Sequence, residues 1–284
     1  MPDGSAAGMR TFAGESSVAL SPLTFGSMRV DHAGDARAVA GLIQEALELG
    51  VTTFHVSAEY ATWPLFVAAW TEVSASLRAD AQVIAKVGVP HFGESRFDPY
   101  AFRTKVDGFR TALGRDRLDV VQWLLRYDLK DEAGRLAILE RDANLVADLV
   151  EDLRANGVIG GLVSFPYTRP VAQRALAAPW CEGLALYCNP LELEMMDLFD
   201  SAAEARKSIV AIRPFAAGRM FMETTFTAAE AIQLPLSHPA VATVVASIST
   251  SARLHEAAAA ARASEPAPDS WRETLSSART CFDV

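Results

Sequence analysis

Eight short, nearly continuous apolar runs recur along the 284-residue chain, and the stretches between them carry apolar residues at helical spacing. The runs are LTFGSM from Leu23, VTTFHVS from Val51, QVIAKVGV from Gln82, LDVVQWLL from Leu118, VIGGLVSF from Val158, GLALYC from Gly183, SIVAIRPF from Ser208 and VATVVAS from Val241. A strand apolar on both faces must be covered on both faces, and strands alternating with amphipathic helices give a parallel sheet wrapped by those helices. The first helical stretch shows the pattern: Val39, Leu42, Ile43, Ala46 and Leu47 share one face, and Gly50 closes it as a C-cap does. Further helices are expected over 63–78, 100–113, 144–156, 170–177, 195–206 and 252–263. Eight such units predict an α/β chain folded as a (β/α)8 TIM barrel. The rival, an open doubly wound sheet, brings a G-x-G-x-x-G turn after a strand, and none is present.

No linker divides the chain, so residues 1–284 read as one barrel domain, with 1–18 as a flexible lead-in and 264–284 as a C-terminal appendage interrupted by Pro266 and Pro268. The irregular connection after Gly218 is expected to carry a short helix over one rim. Composition then excludes several classes of partner. A formal charge of −9 and the lack of a basic stripe argue against a nucleic-acid surface. The N-terminus is neither a secretory signal nor a spanning segment, and the helical stretches keep a polar side, so no membrane partner is expected. Three scattered cysteines fit a reducing, cytoplasmic setting. His32, His91, His238 and His255 have no acidic partner at ligand spacing, so no metal is expected. The expected partner is a small-molecule substrate; nothing in the sequence sets its identity or the oligomeric state.

Active sites of such barrels lie at the C-terminal ends of the strands. There the sequence places His55 and Tyr60 after the second strand, Lys86 in the third, Arg126 and Tyr127 after the fourth, Ser164 ending the fifth, Asn189 after the sixth and Arg213 ending the seventh. Lys86 is the most informative, because VIAKVGV sets an ammonium among aliphatic neighbours and lysine is almost never fully buried unless paired. The bland alternative is a lysine that snorkels to water from the barrel edge. Trp63, His91, Trp123, Arg126 and Asn189 are expected to line the substrate pocket.

The order and spacing of LTFGSM, ALELGVTTFHVSAEY, IAKVG, LDVVQW, ANGVIGGLVSF, YCNPLE, VAIRPFAAGRM and HPAVATVVASISTSARLHEA resemble the aldo-keto reductases across nearly the whole barrel. The resemblance implies carbonyl reduction by NADPH hydride through an Asp, Tyr, Lys and His tetrad, with tyrosine as proton donor. Tyr60 matches that tyrosine and Lys86 that lysine. The family aspartate falls on His55, five residues before the tyrosine, and the family histidine falls on or beside Leu124. The resemblance also implies cofactor contacts at Ser164, Arg213, Gly218, Ser249, Arg253 and Glu256. Phe165, however, replaces the asparagine that follows the serine, Ala185 the strand-six glutamine, Ile212 or Arg213 the stacking tyrosine, and Ala257 the usual asparagine.

Loss of the aspartate leaves Lys86 in an apolar strand without its counter-ion, so desolvation should lower its pKa and free an amine for general-base or imine chemistry. A neighbouring cation should keep the His55 imidazole neutral. The leading expectation from sequence is therefore acid–base chemistry by Tyr60, Lys86 and His55 on a carbonyl compound: elimination, isomerisation or cyclisation, with no cofactor. An NADPH-dependent carbonyl oxidoreductase is the alternative, and a non-catalytic binding or regulatory barrel the third reading.

Overall fold

The eight apolar runs become eight parallel strands that close on themselves. A computed structural model describes residues 9–12 and 18–264. In chain order the strands are β1 (Arg10–Thr11), β2 (Ala19–Leu20), β3 (Leu23–Gly26), β4 (Thr53–Ser57), β5 (Gln82–Gly88), β6 (Leu118–Leu124), β7 (Ile159–Phe165), β8 (Gly183–Tyr187), β9 (Ser208–Ile212) and β10 (Val241–Ser247). Each of β3 to β10 pairs in parallel with its sequence neighbour, and β10 returns to β3 with Val244 beside Leu23, closing the barrel.

Strand alternation divides the buried side chains into two sets. Ile84, Val120, Leu124, Val163, Phe165, Ala185, Val210 and Val245 pack inside the barrel, whereas Phe54, Val83, Trp123, Leu162, Leu184 and Ile209 pack between the strands and the surrounding helices. The strands are apolar on both faces because both faces are covered.

The segment expected to be a lead-in contributes structure where it is described. β1 and β2 form an antiparallel pair, and fully buried Phe12 joins Val18 and Leu20 in the barrel interior. The fit depends on Gly161, which lies inward on β7: a Cβ there would stand 2.8 Å from the Phe12 ring. Arg10 ties the hairpin down by donating to the carbonyls of Leu236 and Val241, each at 2.9 Å. The appendage expected at 264–284 lies, beyond Ser264, outside the described residues.

Helix boundaries depart from the periodic pattern where local bonding intervenes. The single helix expected over 63–78 is two, Trp63–Glu72 and Ala75–Arg78, because Val73 is extended and the Ser74 hydroxyl caps a new start by accepting from Leu77 N–H. Glu132–Arg141, capped by Asp131, is an additional helix that the sequence did not signal. The helix expected from residue 195 begins at Leu198. The connection after β9 carries Met220–Glu223 and Ala228–Leu236, the latter opened by a Thr227/Glu230 capping box. Among the described residues no helix is long and apolar enough to cross a membrane.

Candidate active site

A cavity of about 1010 Å³ opens at the C-terminal ends of the strands. Its floor is set by strand register. Ser57 on β4 pairs with Lys86 on β5, and Lys86 pairs with Gln122 on β6, so His55, Lys86 and Gln122 all point inward. Tyr60 reaches them from a turn in which its N–H donates to Ser57 O at 3.2 Å and its carbonyl accepts from Trp63 N at 2.9 Å.

Lys86 Nζ donates to the phenolic oxygen of Tyr60 at 3.1 Å and lies 4.7 Å from the ring centroid. Among the described residues no carboxylate comes within ion-pair distance of this ammonium. Burial pushes the Lys86 pKa down to about 8, with the Arg126 cation adding to the shift and Glu59 opposing it. Burial raises the Tyr60 pKa, helped by Glu59 and Tyr187 and opposed by Arg126.

His55 is buried, and its Nε2 donates to Oε1 of Gln122 at 2.7 Å. Burial and the nearby Lys86 charge lower the His55 pKa to about 3 against the opposing effect of the Gln122 bond, so the imidazole is neutral throughout the physiological range. The lysine therefore has a neutral imidazole for company, as its sequence position implies.

An ionic rim borders this cluster. Arg126 pairs with Glu59 and donates from Nη1 to Nε2 of His91 at 3.0 Å. Gly88 makes room for the pair, since a Cβ there would lie 3.1 Å from Glu59 Oε1 and 3.4 Å from Arg126 Nε. Glu59 was not singled out in the sequence; its place in the His55-to-Tyr60 turn is the signal that could have found it.

Arg213, Gly218, Ser249, Arg253 and Glu256, the positions at which the resemblance implies cofactor contacts, also form part of the lining. The loop after β9 is bent by positive φ at Arg213 (62°), Ala216 (47°), Ala217 (58°) and Gly218 (95°). Arg213 pairs with Glu192 at 3.2 Å and lies over the Tyr187 ring at 5.0 Å. The helix Ser251–Arg262 begins beside this region, with Thr250 Oγ1 accepting from Arg253 N–H at 3.3 Å. A helix N-terminus flanked by Ser249 and the Arg253 guanidinium suits an anionic group.

Several expected site residues lie elsewhere. Ser164 pairs with Trp123 in the outward-facing layer, so neither faces the cavity; Trp123 instead donates from Nε1 to Val89 O at 2.5 Å. Trp63 packs on Phe66 and Phe109 outside the barrel. Asn189 is buried and donates to Glu192 and, at 3.0 Å, to the carbonyl of Arg213, which makes it a support for that loop. His91 belongs to the ionic rim and not to the cavity wall. The wall is completed by residues the sequence did not single out, notably Gln122, Tyr167 and Tyr187. Leu124 and Ile212 do line it, at the positions where the family histidine and stacking tyrosine were expected, and Ala185 is buried in the barrel interior. Among the described residues no group of three or more His, Cys, Asp or Glu is placed to hold a metal ion.

No protein-family model matches the chain, and no curated protein matches it in sequence. Solved structures do. An aldo-keto reductase from Bacillus halodurans in its holo form is 20% identical, with a TM-score of 0.73 and 96% of each chain covered. An aldo-keto reductase from Klebsiella pneumoniae in complex with NADPH is 17% identical, with a TM-score of 0.70 over 96% of this chain and 95% of that one. A K. pneumoniae structure with NADP and acetate is 16% identical, with a TM-score of 0.67 over 94% and 95%. At these identities the likeness is one of fold: the chain has the barrel architecture of the aldo-keto reductases.

Proposed function

We propose that this protein is an NADPH-dependent carbonyl oxidoreductase in which Tyr60 delivers the proton and Lys86 assists it without a carboxylate partner. The observation that carries this reading is the 3.1 Å Lys86–Tyr60 hydrogen bond at one end of a cavity whose lining continues to Ser249 and Arg253. The relatives solved with NADPH and NADP support it. The hydride-free reaction that the sequence placed first, with no cofactor, becomes the second reading; the unpaired, depressed Lys86 favours it, and none of the similar structures does.

The donor set fits a phosphorylated dinucleotide at its anionic end. Ser249, Arg253 and the start of the helix Ser251–Arg262 would hold the phosphates, with Gly218 allowing the preceding loop to turn. The lining also includes Phe165, Ile212 and Tyr187, where apolar and aromatic side chains stand in place of the polar clamp implied by the resemblance. When bound, NADPH supplies hydride to a carbonyl carbon.

The protein's own part is the proton. Tyr60 O–H donates to the developing alkoxide, and the Lys86 ammonium beside that oxygen stabilises the phenolate left behind. With a pKa of about 8, Lys86 is mostly charged at neutral pH and can fill this role. His55 is neutral and adds no charge that would offset the ammonium.

Titration of the purified protein with NADPH, followed by fluorescence, tests the reading. Micromolar binding, with NADPH consumption on adding small aldehydes, is expected. Absence of binding at millimolar cofactor would leave the hydride-free reading in its place.

A further inference from the structure

We propose that Lys86 is also a nucleophile, condensing with small aldehydes that enter the cavity to form a Schiff base without a cofactor. The chain has four lysines, and three are placed for other ends. Lys105 donates to Gly88 O at 2.7 Å, Lys207 donates to Ala178 O at 2.6 Å, and Lys130 is exposed. Only Lys86 lines the cavity, with Leu124, Phe165, Ile212 and Val245 among the apolar wall residues.

Two features of its surroundings suit an amine nucleophile. No ion pair immobilises the nitrogen, since the groups nearest in charge are the Arg126–Glu59 pair of opposite signs and the neutral His55. A proton carrier is already in contact, Tyr60 Oη at 3.1 Å. Burial adds to this: with a pKa of about 8, roughly a tenth of Lys86 is neutral at pH 7, against less than about a thousandth of an ordinary lysine.

The chemistry balances with these groups alone. The Nζ lone pair adds to the carbonyl carbon while the carbonyl π pair moves to oxygen. Tyr60 gives that oxygen its proton, and the phenolate takes one from the new ammonium, leaving a neutral carbinolamine. The nitrogen pair then forms C=N as the C–O bond breaks, and Tyr60 protonates the departing hydroxyl. The phenolate recovers a proton from the iminium nitrogen. Amine and aldehyde have become imine and water, and nothing is oxidised or reduced.

The test treats the full-length protein at pH 7 with acetaldehyde and sodium cyanoborohydride, without NADPH, and maps ethylation at the four lysines by peptide mass spectrometry. Lys86 is expected to be modified at least about 10-fold faster than Lys130, and unfolding in urea is expected to abolish the difference. A Lys86 rate no greater than that of Lys130 overturns the proposal, as does a preference that survives unfolding, since that would belong to local sequence and not to the barrel. Because no NADPH is present, the outcome is independent of whether the reductase reading stands.

Discussion

His55 Nε2 lies 2.7 Å from Gln122 Oε1, so two neutral side chains are bonded to each other at the position where the resemblance to aldo-keto reductases implies an aspartate beside Lys86. The bond joins two neutral groups and gives the ammonium no counter-charge. Strand parity makes the arrangement possible: His55, two residues before the Lys86 partner Ser57, faces inward with Lys86 and Gln122.

His55→Asp should therefore strengthen carbonyl reduction. A carboxylate within reach of Lys86 favours the ammonium, by about 1–3 pKa units for a close pair, and the charged lysine is the form that stabilises the Tyr60 phenolate. The alkaline limb of the pH–rate profile, expected near pH 8 in the native protein, should move upward, with turnover at pH 8 rising several-fold. An unmoved limb would show that Lys86 does not set it.

Lys86 should also cost stability at neutral pH. Its folded pKa of about 8 lies below the ordinary 10.5, so the unfolded chain binds more protons between these values and stability rises with pH across that window. Below pH 8 the full cost is present, on the order of 3 kcal/mol before the Tyr60 hydrogen bond offsets part of it. Lys86→Met is expected to raise unfolding free energy by about 1–3 kcal/mol at pH 7 and by little at pH 10.5, as read from urea midpoints at the two pH values.

The acid side belongs to His55. Its folded pKa is about 3 against an ordinary 6.5, so on acidification the unfolded chain takes up a proton that the folded protein refuses. Above pH 6.5 there is no penalty; by pH 4 the loss is on the order of 3 kcal/mol. His55→Asn should lose stability less steeply than the native protein between pH 6.5 and pH 4. Parallel pH–stability curves for the two proteins would mean that the imidazole is not held neutral.

The barrel was legible in the sequence because strands buried on both faces leave an apolar signature of nearly continuous runs. His55, Tyr60 and Lys86 were legible because polar residues at strand ends stand out against that background. Facing was harder to read, since polarity at a strand end does not say which side of the sheet a residue occupies, and a shift of one residue reverses it. Following the register from Lys86 to Gln122 to Val163 would have put Gln122 inside and left Trp123 and Ser164 outside. Glu59 had no periodic signal at all, because it sits in a turn and owes its place to Arg126 and to the missing side chain at Gly88.

Arg253→Ala should separate cofactor capture from the chemistry at the floor. Arg253 stands in the first turn of the helix Ser251–Arg262, where its guanidinium and the helix start both favour an anion. A charge-assisted hydrogen bond to a phosphate is worth about 1.5–3 kcal/mol, so the Kd for NADPH is expected to rise roughly 10- to 100-fold and to become less sensitive to salt. Arg253 comes from the helix after β10, whereas Lys86 bonds to Tyr60, so ethylation of Lys86 by acetaldehyde should proceed at the native rate. Fluorescence titration at two salt concentrations reads the first effect and peptide mapping the second. An unchanged Kd at both concentrations would remove Arg253 from the cofactor site and leave the anionic end of the cavity without its assigned cation.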